Sequence, residues 1–131
     1  MASRRIEDLD PRLQPIARAF MERIKEANVS CIITCTTRSA EEQMELYARG
    51  RTKPGKKVTW TLLSKHIKGF AFDIAIMRGK QVEWDIKADV DVDGIPDYLE
   101  AGRIGESLGL VWGGRWSKPD YPHFELREEE A

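Results

Sequence analysis

Two short stretches carry the residues able to do chemistry. The first is Ser64-Lys65-His66-Ile67-Lys68-Gly69-Phe70-Ala71-Phe72-Asp73, spaced S-x-H-x-x-G-x-A-x-D. The second is Asp120-Tyr121-Pro122-His123-Phe124-Glu125. The chain has two histidines, and one falls in each stretch. His66, Asp73 and His123 together make a three-ligand set for zinc, leaving a fourth position for water, as a catalytic zinc requires. Zinc brings a water's pKa towards neutrality and polarises a scissile carbonyl. Hydrolysis also needs a carboxylate to accept the water proton and deliver it to the leaving amine. Asp120 is the candidate, three residues before His123, with Pro122 between them opposing a regular helix. Glu125 shares a strand face with His123. It either orients that histidine or is itself the base if Asp120 points away.

One stretch alone reads more readily as a core strand with an incidental aspartate and a surface histidine; their joint occurrence favours the metal. The local pattern shows why Asp73 suits it. Phe70, Phe72, Ile74 and Ile76 alternate with Ala71, Asp73 and Ala75, and a strand points alternate residues to opposite faces. One face is bulky and enters the core. The other is small, with a carboxylate between two alanines and room for a metal. Gly69 lets the backbone turn from the His66 loop into the strand.

A second cation motif lies between the two stretches. Asp89-Val90-Asp91-Val92-Asp93-Gly94-Ile95-Pro96-Asp97-Tyr98-Leu99-Glu100 fits D-x-D-x-D-G-x-x-x-x-x-E, the spacing of an EF-hand loop. Asp89, Asp91 and Asp93 supply oxygen ligands, Gly94 the sharp turn, Ile95 its carbonyl, Asp97 a ligand or a water, and Glu100 a bidentate closure. Two features depart from an ordinary EF-hand: a strand rather than a helix precedes the loop, and Pro96 lacks the N–H that paired loops share. The expectation is a lone calcium site that either regulates the chain or stabilises it, against the plainer reading of a solvated acidic turn.

The elements that must position these residues follow from periodicity. Asp10-Pro11 opens a helix whose apolar positions Leu13, Ile16, Ala17, Phe20, Ile24 and Ala27 carry it to about residue 27. Cys31 to Thr36 is a buried strand. Its two cysteines would be about 13 Å apart, too far for a disulfide, so free buried thiols are expected. Ser39 with Glu42 forms a capping box for a helix that stops at Gly50. Residues 51 to 63 read as an exposed loop. Gln81 to Ile86 returns from a turn at Met77 to Lys80 as a strand, Tyr98 to Leu108 is helical with close packing at Gly102 and Gly105, and Leu110 to Trp112 and His123 to Leu126 are short strands. The Gly113-Gly114-Arg115-Trp116 loop reads as a wall of a cleft. The tail, 127 to 131, reads as disordered. The expected fold is α+β, helices packed on one side of a small, mainly antiparallel sheet, with the zinc on the exposed sheet face.

The bulk properties bound the rest. The chain has 131 residues, 41% hydrophobic and 33% charged, which suits one domain with a single core and no separate binding domain. The net charge of −1 favours neither nucleic acid nor an anionic membrane as partner. No apolar run approaches the roughly 20 residues of a membrane span. The first residues show no hydrophobic signal region, so synthesis in the cytoplasm is expected.

From about Thr36 to Leu126 the chain resembles the zinc peptidases that cut peptidoglycan stem peptides, which include D-alanyl-D-alanine carboxypeptidases and dipeptidases and L-alanyl-D-glutamate peptidases. The two stretches carry the resemblance, with Arg38-Ser39-x-x-x-Gln43, Leu46-Tyr47-Ala48-x-Gly50-Arg51-Thr52 and Leu108-Gly109-Leu110-x-Trp112-Gly113-Gly114-x-Trp116. The phage endolysin branch is the most similar. The resemblance implies zinc on His66, Asp73 and His123, Asp120 as catalytic base, and Arg38 gripping a substrate carboxylate or the developing oxyanion. It places Gln43, Ser64 and Trp116 among substrate contacts, with Gln43 alternatively supporting Arg38 and Ser64 hydrogen-bonding a ligand. It implies a monomeric L-alanyl-D-glutamate endopeptidase, delivered by a holin to peptidoglycan in the periplasm of a Gram-negative host. The alternatives are a D-alanyl-D-alanine carboxypeptidase and a non-catalytic zinc-containing peptidoglycan-binding module.

Overall fold

The helical spacing of Leu13, Ala17, Phe20 and Ile24 puts four side chains on one stripe, and all four are buried. Leu13 is the N-cap and the other three lie on α1 (Gln14–Glu26), which begins later than the Asp10-Pro11 signal suggested. The Asp10 carboxylate is turned onto Arg12 instead, accepting its backbone N–H at 2.9 Å and its guanidinium at 3.0 Å. Residues 11–13 form a turn, and Pro15 sits in the first turn of the helix. The computed structural model describes residues 3–52, 54, 65–90 and 94–127. Ser64, Asp91, Asp93, most of the expected loop at 51–63 and the tail from 128 lie outside the described residues.

Strand β1 (Cys31–Cys35) follows, ending one residue before the expected Thr36, whose N–H bonds the Ser3 carbonyl at 2.8 Å. Both cysteines are free thiols; Cys35 is buried and Cys31 only half so. Helix α2 (Ala40–Ala48) starts at the full capping box: Ser39 Oγ accepts the Glu42 N–H at 3.1 Å, and the Glu42 carboxylate accepts the Ser39 N–H at 3.2 Å. Strands β2 (Ala71–Arg78) and β3 (Gln81–Glu83) form a hairpin. β3 stops short of Ile86 because the chain turns there, with the Ala88 N–H on the Asp85 carbonyl at 3.0 Å. Helix α3 (Asp97–Ser107), β4 (Val111–Trp112) and β5 (His123–Glu125) complete the order, with a 3-10 turn at Gly113–Arg115 where a plain loop was expected.

The strands form one antiparallel sheet in the order β1-β2-β5-β4, with β3 on β2. Ile76 pairs with both Cys31 and Glu83, and Asp73 with both Cys35 and His123. β3 and β5 therefore share one edge of β2, and β1 takes the other. Phe72, Ile74 and Ile76 face a core closed by α1 and α3. Phe72 stacks on Phe124 at 5.6 Å, and Phe20 meets both edge-on at 5.4 and 4.8 Å. Such pairs each contribute about 0.5–1.5 kcal/mol beyond area burial. The rings of Trp112 and Phe124 fill the glycine positions of α3 at Gly102 and Gly105. The expected α+β architecture is the one observed.

Two details of the β2 pattern differ. Phe70 precedes the strand and is half-buried, with the Arg12 guanidinium 5.2 Å above its ring. The small face is not open along its length, since Ala71 and Ala75 are fully buried. Only the Asp73 position between them retains access.

Candidate metal centre

Sheet register brings Asp73 opposite His123, so an i, i+2 alternation on each strand sets both side chains on the face away from the Phe72–Phe124 stack. His66 arrives from a 3-10 turn at Lys65–Lys68. That turn is closed by Gly69 at φ 74°, where an added Cβ would lie 2.9 Å from the Asp10 backbone nitrogen. A side chain there would displace the approach of His66 to the strand.

The three side chains converge. Asp73 Oδ1 lies 3.1 Å from His66 Nε2 and 2.9 Å from His123 Nδ1. One ligand atom from each lies within 4.8 Å of the others, and no other described residues form such a group. The two imidazoles are buried, their rings 5.2 Å apart at 76°. Each histidine's outer nitrogen meets an acceptor. His66 Nδ1 is 3.3 Å from the Thr36 carbonyl and 3.7 Å from Cys35 Sγ, while His123 Nε2 is 2.9 Å from Glu125 Oε1. Two imidazole nitrogens and one carboxylate oxygen facing a common point, with the outer nitrogens held by acceptors, is a donor set that fits a divalent metal with an open position.

The electrostatics follow from this sharing. Burial pushes the Asp73 carboxyl up, but hydrogen bonds from His123 and His66 outweigh it and hold it well below the usual carboxylate range. Burial also disfavours the imidazolium of each histidine. Hydrogen bonds to Asp73 and Cys35 overcome it for His66, which rises to about 10. Hydrogen bonds to Asp73 and Glu125 do so for His123, which rises to about 9.

The remaining candidates surround the cluster. The Arg38 guanidinium donates to Gln43 Oε1 at 2.7 Å and reaches Cys35 Sγ at 3.6 Å, and its backbone N–H bonds the His66 carbonyl. Gln43 is fully buried, so of its two expected roles the geometry shows the support of Arg38. Thr34, Cys35, Arg38, Leu46 and Asp73 line a groove of about 590 Å³ beside α2. Trp116 is part-exposed, its ring 5.2 Å from that of His123. Asp120 begins the turn into β5: its N–H bonds the Gly113 carbonyl at 2.9 Å and its carbonyl accepts the His123 N–H at 3.1 Å. A Cβ on Gly113 would lie 2.4 Å from the Asp120 carbonyl oxygen, so this close approach requires glycine. Loss of surrounding solvent raises the Asp120 carboxyl above its ordinary value, and the charge of Asp73 adds to that.

Three neighbours had no signal in the sequence. Cys35 reaches His66 only because register sets it opposite Asp73, the Thr36 contact is a backbone carbonyl, and Lys65 acts through a salt bridge to Glu125 at 2.7 Å. Of the calcium residues, Asp89 Oδ2 accepts the Gly94 N–H at 2.8 Å and Asp97 Oδ2 accepts the Val90 N–H at 2.7 Å.

An α+β sheet with a His-Asp-His cluster beside a carboxylate is the architecture of a metal-dependent hydrolase. The family model described as D-alanyl-D-alanine carboxypeptidase matches residues 57–126, just over half of the chain. The peptidoglycan L-alanyl-D-glutamate endopeptidase CwlK of Bacillus subtilis (strain 168) is 37% identical over 123 residues, covering 91% of this chain and 74% of that protein. This chain belongs to the D-alanyl-D-alanine carboxypeptidase family of peptidases. The L-alanyl-D-glutamate peptidase of Listeria phage A118 is 25% identical over 122 residues, 92% of this chain but 39% of that protein. The crystal structure of the Serratia marcescens L-Ala D-Glu endopeptidase ChiX shares the fold, with a TM-score of 0.69 at 24% identity over 99% of this chain and 91% of that one. No helix among the described residues is long and apolar enough to cross a membrane.

The raised histidines predict how the metal-free protein responds to pH. Their folded values, about 10 and 9, lie above the roughly 6.5 of an unfolded histidine. The stability they contribute is therefore complete below about pH 6.5 and is lost as pH rises through 9 to 10. Urea midpoints of chelator-treated protein should fall between pH 6.5 and 10, and Asp73→Asn should flatten that slope. A midpoint that is level or rising across this range in the wild type would contradict the shared-carboxylate geometry.

Proposed function

We propose that the chain is a zinc-dependent endopeptidase that hydrolyses the L-alanyl-D-glutamate bond of peptidoglycan stem peptides. The observation that carries this reading is the convergence of His66 Nε2, Asp73 Oδ1 and His123 Nδ1 within electrostatic reach of Asp120. The choice of bond rests on the relatives whose names specify it. When bound at the three residues, zinc supplies Lewis acidity and lowers the pKa of a water. Asp120 accepts the water proton and returns it to the leaving amine, a role to which its raised pKa is suited. Arg38, braced by Gln43, offers its guanidinium to a substrate carboxylate or to the developing oxyanion. Trp116 walls the substrate cleft beside His123. Ser64 is retained as a substrate contact from the sequence motif alone.

An endolysin role is also proposed: a monomer, delivered by a holin and acting on peptidoglycan in the periplasm. Its support is the phage relative. A single preparation tests these readings. The wild type should hold one zinc, His66→Ala and His123→Ala should lose it, and Asp120→Asn should keep it while losing about 10²–10⁴-fold in rate. Mass spectrometry of digested muropeptides should show cleavage between L-alanine and D-glutamate, and outer-membrane-permeabilised Gram-negative cells should lyse with the wild type only. Release of terminal D-alanine alone would make the enzyme a carboxypeptidase. Zinc and peptidoglycan binding without cleavage would make it a binding module.

We further propose calcium at the loop of Asp89, Asp91, Asp93, Ile95, Asp97 and Glu100. Its support is the ligand spacing together with Asp97, which is buried, directs Oδ2 to the loop backbone at Val90, and keeps Oδ1 buried with no hydrogen-bond partner among the described residues. A cation would satisfy that oxygen. The loop leads into α3, whose glycine positions receive the rings of Trp112 and Phe124, next to His123. Calcium should thus raise hydrolysis at constant zinc, and an Asp91→Ala, Asp93→Ala double variant should not respond. Equal rates with and without calcium would leave at most a structural ion, and no calcium heat in calorimetry would remove the site.

A further inference from the structure

The zinc ligands proposed above are joined on their outer side by a second polar chain, and the inference here rests on that zinc reading. His123 turns Nδ1 to Asp73 and Nε2 to Glu125, at 2.9 Å in each case. Glu125 uses its other oxygen, Oε2, for Lys65 Nζ at 2.7 Å. Lys65 Nζ also donates to the Leu126 carbonyl at 3.3 Å. None of these groups lies freely in solvent: side-chain exposures are 8% for His123, 12% for Glu125 and 27% for Lys65.

The covalent connectivity gives this chain its meaning. Lys65 is the residue before His66, in the same 3-10 turn, and Glu125 is two residues after His123 on the same strand face. The Lys65–Glu125 pair therefore ties together the two segments that carry the imidazoles, one at each end. Register holds Glu125 opposite the fully buried Ala71, so its carboxylate has a fixed origin on the sheet.

An imidazole can donate a metal only the nitrogen that carries no proton, and the hydrogen bond made by the other nitrogen decides which one that is. We propose that Glu125 is the positioning residue that holds the Nε2–H of His123, so that a metal takes the place of the proton on Nδ1, and that Lys65 holds the Glu125 carboxylate in place. Thr36 does the equivalent for His66 through a backbone carbonyl, at Nδ1 rather than Nε2. The two histidines thus present opposite nitrogens because their acceptors sit at opposite nitrogens. The same geometry removes Glu125 from consideration as the base. It lies across the imidazole ring from the ligand atoms, and both its oxygens are engaged.

The test is zinc affinity, measured by competition with a chromophoric chelator on full-length protein, together with the ¹⁵N resonances of His123. Glu125→Ala should weaken zinc by about 10–100-fold. Glu125→Gln keeps an acceptor of nearly the same shape and should lose less, and Lys65→Met should fall between the wild type and Glu125→Ala. In the wild type the zinc-bound His123 should show a slowly exchanging Nε2–H, which in Glu125→Ala should exchange rapidly with water or give way to ligation through Nε2. Zinc affinity in Glu125→Ala within twofold of the wild type would overturn the assignment. So would equal loss in the Ala and Gln variants accompanied by a collapsed metal-free melting transition, which would mark Glu125 as structural. Failure of the wild type to bind zinc is a separate result, and it would remove the metal reading itself.

Discussion

One carboxylate oxygen shared between two imidazoles is the constraint on which the rest depends. Asp73 Oδ1 stands about 3 Å from nitrogens of both His66 and His123, on a strand whose other residues from Ala71 to Ile76 are buried on both faces. An unpaired charge in such a place would be expensive, and removing one partner of a buried pair costs several kcal/mol. The arrangement also tolerates no slip of register. Moving β5 by one residue on β2 would point His123 into the space held by Phe124, between Phe72 and Phe20. The aromatic core on one face and the polar cluster on the other therefore specify each other: the stack fixes the pairing, and the pairing fixes the distance between the ligands.

The same constraint organises the surroundings. The outer contacts of the cluster come from β1, where the Thr36 carbonyl and Cys35 Sγ meet His66, and from residues close in sequence to the histidines, Glu125 behind His123 and Lys65 linking the two segments. Such supports cost little additional ordering, because the elements that carry them are already fixed by the sheet. The groups proposed to act on the substrate are placed differently. Asp120, Trp116 and Arg38 come from turns and loops around the sheet, with Gly113 allowing the Asp120 turn to close against its own neighbour. A sheet-borne cluster with loop-borne groups beside it is the arrangement the proposed reaction needs, a fixed set of donors with adaptable contacts around it.

The parts of this that sequence could reveal are those with a short-range signature. The alternation Phe72-Asp73-Ile74, the capping box at Ser39 and the glycine turn at Gly69 each act within a few residues, and each was legible. The three clustered side chains were legible because two histidines in a whole chain fell into spaced motifs. What was hidden depends on register and on long-range pairing. Nothing in the residues of β1 says that Cys35 faces Asp73, and nothing before His66 says that its lysine reaches Glu125, 60 positions away. The expected open face beside Asp73 was also wrong in extent: small residues permit access, but they equally permit close packing, and Ala71 and Ala75 are covered. The start of α1 shifted for a similar reason, since Asp10 had a nearer partner in Arg12 than the helix N–H groups.

Cys35 also makes the central claim sharply testable. Its sulfur lies 3.7 Å from His66 Nδ1, and thiolate sulfur is a donor that zinc readily accepts. X-ray absorption at the zinc edge of the stoichiometric complex distinguishes the two. The account predicts only nitrogen and oxygen scatterers at about 2.0–2.2 Å, with the multiple-scattering pattern of two imidazoles. A sulfur shell near about 2.3 Å, or a spectrum with fewer than two imidazoles, would contradict it.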